Sequence, residues 1–279
     1  MNDKLSIIIV NFNTKDILIA CLKTLGKYRV MIVDNGSTDG SVEEVRKRFS
    51  RVAIIRNAIN RGFAAANNQG IARTKSDYVL LLNSDTRAES DAIDSVIQYL
   101  EAHPDVGVAT CKLVLDDGRI DPACHRGFPT PWAAFTYFSG LEKLFPKSRV
   151  FSQYHQWYKD LSNVHEIDSP SGAFFMVRGE VINQVGLLDE SFFMYGEDLD
   201  WAYRIKQAGW KIVFIPDVSV THLKKRSGRS HEDRERQRAS QRYFYETMLQ
   251  FYKKHFQQKY SFFISVLVTF VIKLRLYFL

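Results

Sequence analysis

A chain of 279 residues, 46% of them hydrophobic, is long enough to bury a substantial core in one large α/β domain or two smaller ones, which excludes a disordered or fibrous protein. Its formal net charge of +7 and pI near 9.2 point to phosphorylated ligands, nucleic acid or an anionic membrane surface, without choosing among them. Cys21, Cys111 and Cys124 are odd in number and lack metal-type spacing, so they frame neither disulfides nor a zinc site and fit a reducing compartment.

Residues 5–10 form an apolar run too short for the h-region of a secretory signal and read as a buried strand. Helix periodicity follows over 15–25, and a second apolar strand over 29–33 ends at Asp34, giving a βαβ pattern. A helix over 41–49 leads to a strand over 52–56; a helix over 63–73 leads to a strand over 78–82 and then to Asn83-Ser84-Asp85. Strands without polar alternation imply a parallel sheet covered on both faces, and such sheets bind ligands beyond the carboxyl ends of their strands. The loops at that edge are Asn11-Phe12-Asn13-Thr14, residues 34–40, residues 57–62 and Asn83-Ser84-Asp85. Each alone is ordinary turn and cap chemistry. Four in succession at one sheet edge point to a ligand.

Asp34 suits the acid of a dinucleotide-binding fold, but the first turn has no glycine, and no P-loop is present. A sheet that binds a nucleotide without a glycine cradle must neutralise the phosphates another way, most simply with a divalent cation. Asp85, beyond a buried strand and near Asn83, is the natural ligand for Mg²⁺ or Mn²⁺, which prefer oxygen donors.

Further along, residues 121–158 are rich in Trp, Tyr, Phe and Pro, a composition that stacks on sugar rings, faces a lipid carrier or simply packs on the core. Residues 192–204, FFMYGEDLDWAYR, place Glu197, Asp198 and Asp200 at a helix start behind an aromatic wall, with Leu199, Ala202, Tyr203 and Ile205 at helical spacing. Backbone N–H groups there favour an ionised carboxylate and the wall limits water, which suits a general base; capping and dipole pairing are the plainer uses of the same acids. Trp201, one turn beyond Asp198, is expected near the same cleft.

Residues 222–242 mix eight cations with Glu232, Asp233 and Glu235, a pattern usual for solvated surface. Within it Lys225, Arg226, Ser227, Gly228 and Arg229 suit a loop closing over a diphosphate through the forked donors of arginine. No nucleic-acid-binding motif accompanies the charge, so nucleic acid is not expected as a partner. Residues 243–256 read as an amphipathic helix, and 260–272 then run without a charge. That run is short of the ~20 residues a bilayer-spanning helix needs and reads as an interfacial segment or a buried helix. Lys259, Lys273 and Arg275 favour an anionic membrane surface; an oligomerisation helix is the other reading.

The segments SIIIVNFNT, VDNGSTDGS, NRGFAAANNQG, LLNSDT and SGAFFMVRGEVINQVGLLDESFFMYGEDLDWAYRIKQAGW resemble, in order and rough spacing, inverting glycosyltransferase family 2. Among its branches the likeness is to the bacterial rhamnosyltransferase-like enzymes of O-antigen and cell-wall polysaccharide assembly. It covers residues 5–110 and 167–222, while 113–166 match nothing. The resemblance implies the GT-A fold: a Rossmann-like, mostly parallel sheet flanked by helices, with a C-terminal helical extension. Residues 1–222 are then the glycosyltransferase domain, with 1–110 its nucleotide-sugar-binding half and 111–222 its acceptor-binding and catalytic half. Residues 223–279 are a basic loop plus C-terminal helices.

Carried across position by position, the resemblance puts Asn11 and Asn13 in the donor pocket and has Asp34 hydrogen-bond the nucleobase or ribose. Asn60 and Gly62 fall where the chain passes close to the nucleotide. Asn83-Ser84-Asp85 stands where the family carries Asp-x-Asp, with Asp85 bridging cation and diphosphate. His222 matches a histidine the family can use as a metal ligand, a satisfied surface histidine being the alternative. Asp198 becomes the base, supported by Glu197 and Asp200, with Asp200 and Trp201 on the acceptor side. Asn at position 83 leaves one carboxylate fewer and puts more weight on His222 and the bound diphosphate. The motif and spans of processive synthases are absent, so one sugar per encounter is expected. The implied reaction is a single inverting displacement from a nucleoside-diphosphate sugar, dTDP-rhamnose by the branch resembled, onto a saccharide or polyprenyl-diphosphate-linked acceptor at the inner face of a bacterial plasma membrane. A UDP-hexose or UDP-galactofuranose donor, and a non-catalytic nucleotide- or sugar-binding module, are the alternatives.

Overall fold

The chain folds around one sheet of nine strands in a computed structural model that describes residues 4–224 and 234–279. The strands are β1 (Leu5–Asn11), β2 (Arg29–Asp34), β3 (Ala53–Arg56), β4 (Tyr78–Leu82), β5 (Thr86–Arg87), β6 (Val106–Val114), β7 (His165–Glu166), β8 (Phe174–Arg178) and β9 (Lys211–His222). The order is β3-β2-β1-β4-β8-β6-β9-β5, with β7 added beside β9. Helices α1 (Lys15–Thr24), α2 (Ser41–Arg48), α3 (Phe63–Ile71) and α4 (Ser90–Ala102) alternate with the early strands. Then come α5 (Pro131–Phe138), α6 (Leu141–Leu144), α7 (Gly179–Val185), α8 (Glu197–Gln207), α9 (Arg234–His255) and α10 (Phe262–Tyr277).

The apolar runs behave as a doubly covered sheet requires. Leu5, Ile7, Ile8 and Ile9 of β1 are wholly buried, as are most residues of β4 and β8. β1 to β4 are parallel, whereas β8 runs antiparallel to both β4 and β6, so the sheet is mixed beyond the fourth strand. Register then positions the site. Asn11 lies opposite Asp34 at the ends of β1 and β2, while Thr86 of β5 pairs with His222 of β9. All three cysteines are buried and unbridged.

A smaller aromatic cluster joins the C-terminal helices to this frame: Phe192, Leu199 and Tyr203 pack with Phe251, Tyr252 and Phe256, and Phe128 and Val268 lie against them. α9 begins well before the residue 243 expected from periodicity. α10 is not the buried helix that was one expectation: of its residues only Ser265 and Ile272 are buried, and Phe263 is 82% exposed. No helix among the described residues is long and apolar enough to cross a membrane.

Candidate active site

Three polar assemblies stand beyond the sheet edge where β1, β2 and β4 end. The first is built on Asn11. Its amide nitrogen donates to Asp34 Oδ1 at 2.8 Å, to Ser37 Oγ at 3.0 Å and to Ser41 Oγ at 2.9 Å, and its oxygen accepts from Thr14 Oγ1 at 2.7 Å. Asp34 Oδ2 takes the Ser37 N–H at 3.0 Å, and Asp34 is wholly buried, so in this state it braces the loop after β2. Asn13, at φ 53°, accepts the Thr38 N–H at 2.8 Å. Asn60 caps the Gly62 N–H at 2.9 Å, and both are tied to Asn35. The close approach at Gly62 is to protein: at φ +87° a Cβ there would lie 2.6 Å from the carbonyl oxygen of Phe193.

The second assembly is the turn after β4. Ser84 Oγ accepts from Thr14 Oγ1 at 3.2 Å, joining it to the first. Asp85 is buried, with its Oδ1 3.3 Å from His222 Nε2, and His222 Nδ1 lies 2.8 Å from Asp121 Oδ2. Lys224 also donates to Asp121, at 2.7 Å. Burial opposes a charge on His222, but the two flanking carboxylates outweigh it and push its pKa up to about 9. Asp121 is buried too, yet His222 and Lys224 hold its carboxyl well below the usual range. A histidine whose Nδ1 is fixed by a carboxylate and whose Nε2 meets a second carboxylate is the arrangement in which imidazole serves as a metal ligand once deprotonated. Asp85 and His222 therefore fit the expected divalent cation. Among the described residues no group of three or more His, Cys, Asp or Glu could hold a metal ion, so Asp85 and His222 stand as a pair.

The third assembly is the start of α8. Tyr195 and Gly196 both take left-handed backbone angles, φ 68° and 79°, and turn the chain sharply into the helix. Asp198 Oδ2 accepts from Arg126 Nη2 at 2.6 Å and from the Gly172 N–H at 3.3 Å, and Oδ1 from the Leu199 N–H at 2.8 Å. Glu197 is buried, and its Oε2 has no hydrogen-bond partner among the described residues. Burial, then the charge of Asp198, push its pKa up to about 8, so it carries a proton at neutral pH. Arg126, Glu197 and Asp198 share a cleft of about 120 Å³ with Tyr137, Phe138, Tyr154, Phe244, Met248 and Phe251. Part of the aromatic stretch thus walls the site.

Backbone contacts bring the second and third assemblies together. Asn83 N–H donates to the Ala173 carbonyl at 3.2 Å, and the neighbouring Gly172 N–H is the one that reaches Asp198. Residues 121–126 also tie them, since Asp121 holds His222 and Arg126 holds Asp198.

Two expectations fail here. Trp201 is fully buried, stacked on Phe175 of β8 at 5.1 Å with its Nε1 donating to the Gly186 carbonyl, so it packs on the sheet rather than lining the cleft. Asp200 is equally buried and is bound by Arg204, Lys254 and His255 at 2.9, 2.7 and 2.7 Å, which makes it the anchor of α9 rather than an acceptor contact. Arg226 and its loop lie outside the described residues. Arg126 and Asp121 went unread, since their partners lie 72 and 101 residues away; the one local signal was Asp121 before Pro122, a helix-cap pair.

Comparison with known proteins bears on these assemblies. The sequence model of glycosyl transferase family 2 matches residues 6–162, running through most of the stretch that the motifs left unmatched. N-acetylglucosaminyl-diphospho-decaprenol L-rhamnosyltransferase of Mycobacterium tuberculosis is 30% identical over 210 residues, 71% of this chain and 67% of its own length. Rhamnosyltransferase WbbL of Escherichia coli is 25% identical over 238 residues, 80% of this chain and 85% of its own. Among solved structures, mannosyltransferase PcManGT from Pyrobaculum calidifontis, in complex with GDP-Man and Mn²⁺, superposes with a TM-score of 0.61 at 16% identity. That match covers 90% of this chain but 63% of the archaeal one.

Proposed function

Because the chain belongs to glycosyl transferase family 2, in its rhamnosyltransferase-like branch, we propose that it moves a single rhamnose from dTDP-rhamnose to a hydroxyl of a saccharide carried on polyprenyl diphosphate, with inversion at the anomeric carbon. The observation that carries the reading is the adjacency of a guanidinium-held Asp198 in an aromatic cleft to the turn bearing Asp85.

Asp198 accepts the proton of the acceptor hydroxyl as the new bond forms. Arg126 and the Gly172 N–H fix its orientation, so little reorganisation is left to the moment of reaction. Glu197 keeps its own proton and does not compete as a base. Tyr137, Tyr154 and Phe244 offer faces for a sugar ring and exclude water. At the other end, Asp85 and His222 would hold Mg²⁺ or Mn²⁺, which when bound offsets the negative charge on the departing diphosphate. Asn11, Asn13 and Asp34 shape the loops against which the nucleoside lies, and Asn60, Gly62, Asn83 and Ser84 complete that rim. A donor-binding role for Arg226, which lies outside the described residues, belongs to the same reading. The exposed apolar α10 seats the enzyme on the inner face of a bacterial plasma membrane, where a lipid-linked acceptor is found.

Calorimetric titration with dTDP, UDP and GDP, each with Mn²⁺ and with EDTA, tests the donor. Tight, metal-dependent binding of dTDP alone is expected. Binding of UDP alone would overturn the donor assignment, and binding of none would remove the basis for sugar transfer and leave a non-catalytic module.

A further inference from the structure

We propose that the outer face of α5 together with residues 141–150 is a second footing on the membrane, docking the cleft onto an anionic bilayer beside α10. The inference rests on the lipid-linked acceptor read above and adds a surface on which neither the family resemblance nor the apolar C-terminus bears.

The inner side of this segment is firmly built. The carboxylate of Glu142 is buried and accepts from the His155 N–H at 3.0 Å, with His155 Nδ1 at 3.1 Å. Trp132 Nε1 donates to the Val150 carbonyl at 2.8 Å, and Ser148 Oγ accepts the Val150 N–H at 3.2 Å. The segment's shape is therefore set from within, while its apolar side chains point out. Leu144 is 69% exposed, Val150 54% and Phe135 55%, and Trp132 and Phe145 are exposed as well. The aromatic members are contiguous: Trp132 lies 5.6 Å from Phe135 and 6.1 Å from Phe151, and Phe151 lies 5.2 Å from Phe145. An apolar patch of this kind marks an interaction surface.

Charge selects the occupant. Lys143, Lys147 and Arg149 are exposed among these residues, and the single acid of 141–150, Glu142, is turned inward. Cations interleaved with exposed aromatic and aliphatic side chains match an anionic lipid surface, which takes apolar groups below its headgroups and cations at their level. Position agrees. Phe138, on the same helix as Trp132 and Phe135, lines the cleft that holds Asp198. Phe128, just before α5, and Val268 of α10 pack on one aromatic cluster, so both footings share a root. An acceptor anchored in the bilayer would enter the cleft between them.

The test is co-sedimentation of the full chain with vesicles of phosphatidylcholine, with and without phosphatidylglycerol. The wild type is compared with K143E/K147E, with Leu144→Glu, and with an α10 variant, F263E/L267E. Binding of dTDP with Mn²⁺ is the check that each variant is folded. The expected result is that wild type prefers the anionic vesicles, and that K143E/K147E and Leu144→Glu each weaken partitioning about tenfold or more, with nucleotide binding intact. Partitioning of both variants equal to wild type, while F263E/L267E is impaired, would overturn this footing and leave the membrane reading standing. Loss of self-association in Leu144→Glu, with vesicle binding unchanged, would assign the face to a second copy of the chain instead. Failure of the wild type to bind any vesicle would end both membrane statements, with the nucleotide titration still deciding sugar transfer.

Discussion

A carboxylate that takes a hydrogen bond from a buried guanidinium at 2.6 Å is held in one orientation, and its partner is held with it. Arg126 is itself buried, and the neighbouring Asp198 raises its pKa beyond the usual arginine value although burial opposes the charge. Replacing either partner therefore has two consequences that can be separated. Asp198→Asn is expected to cost about 10²–10⁴ in kcat with nucleotide binding retained, the usual worth of a general base; unchanged turnover would remove Asp198 from that role. Arg126→Met is expected to destabilise the fold by about 3–5 kcal/mol, since a buried charge is left alone. It should also lower kcat, because Asp198 loses the donor that orients it, with Arg126→Lys restoring part of both. The acids at the start of α8 were legible because charge at a helix start follows local rules. Arg126 was not, because its meeting with Asp198 depends on the bridge between Arg126 and Ser169, and no local pattern announces a contact across 72 residues. Trp201 and Asp200 were misplaced for a related reason: spacing tells which turn a side chain occupies but not what surrounds it.

At the scale of elements, the loop before α3 and the loop before α8 are clamped together. Gly62 sits against the Phe193 carbonyl, and the Phe63 N–H donates to that same carbonyl at 2.8 Å. Gly62→Ala combines a positive φ with a backbone clash that no side-chain shift relieves. It is expected to lower stability by roughly 1–3 kcal/mol and to depress kcat as well as nucleotide affinity, because both loops move; denaturant melts and steady-state kinetics report the two effects. The first four strands and three helices were legible to within a few residues, since each is a long apolar or periodic run with polar ends. The surroundings of α10 were not. Hydrophobicity announces that a helix wants cover and is silent on whether the cover comes from the same chain.

For the molecule as a whole, pH acts through groups held away from their ordinary ionisation. Glu197 keeps its proton in the folded state up to about pH 8, whereas in the unfolded chain it loses it near 4.5. Between these values the folded state binds more protons, so stability falls as pH rises; the contribution is complete below 4.5 and gone above 8. His125 acts in the opposite sense: burial first, then nearby His165, lower its pKa to about 4, so its contribution is present above 6.5 and is lost as pH falls toward 4. Glu197→Gln is expected to flatten the decline in Tm between pH 5 and 8; an unaltered slope would show that Glu197 is ionised in the folded protein. At this scale the sequence reading found the parallel half of the sheet but not the reversal at β8, since a run such as Phe174–Arg178 is equally apolar in either direction. The short piece of chain from Asp121 to Arg126 bears on the same scale. It is a length standard: one end is pinned to His222, the proposed cation ligand, and the other to Asp198, the proposed base. Removing Ala123 from it should leave nucleotide affinity near normal and abolish transfer, because bond breaking and bond making would no longer be spaced for one concerted event.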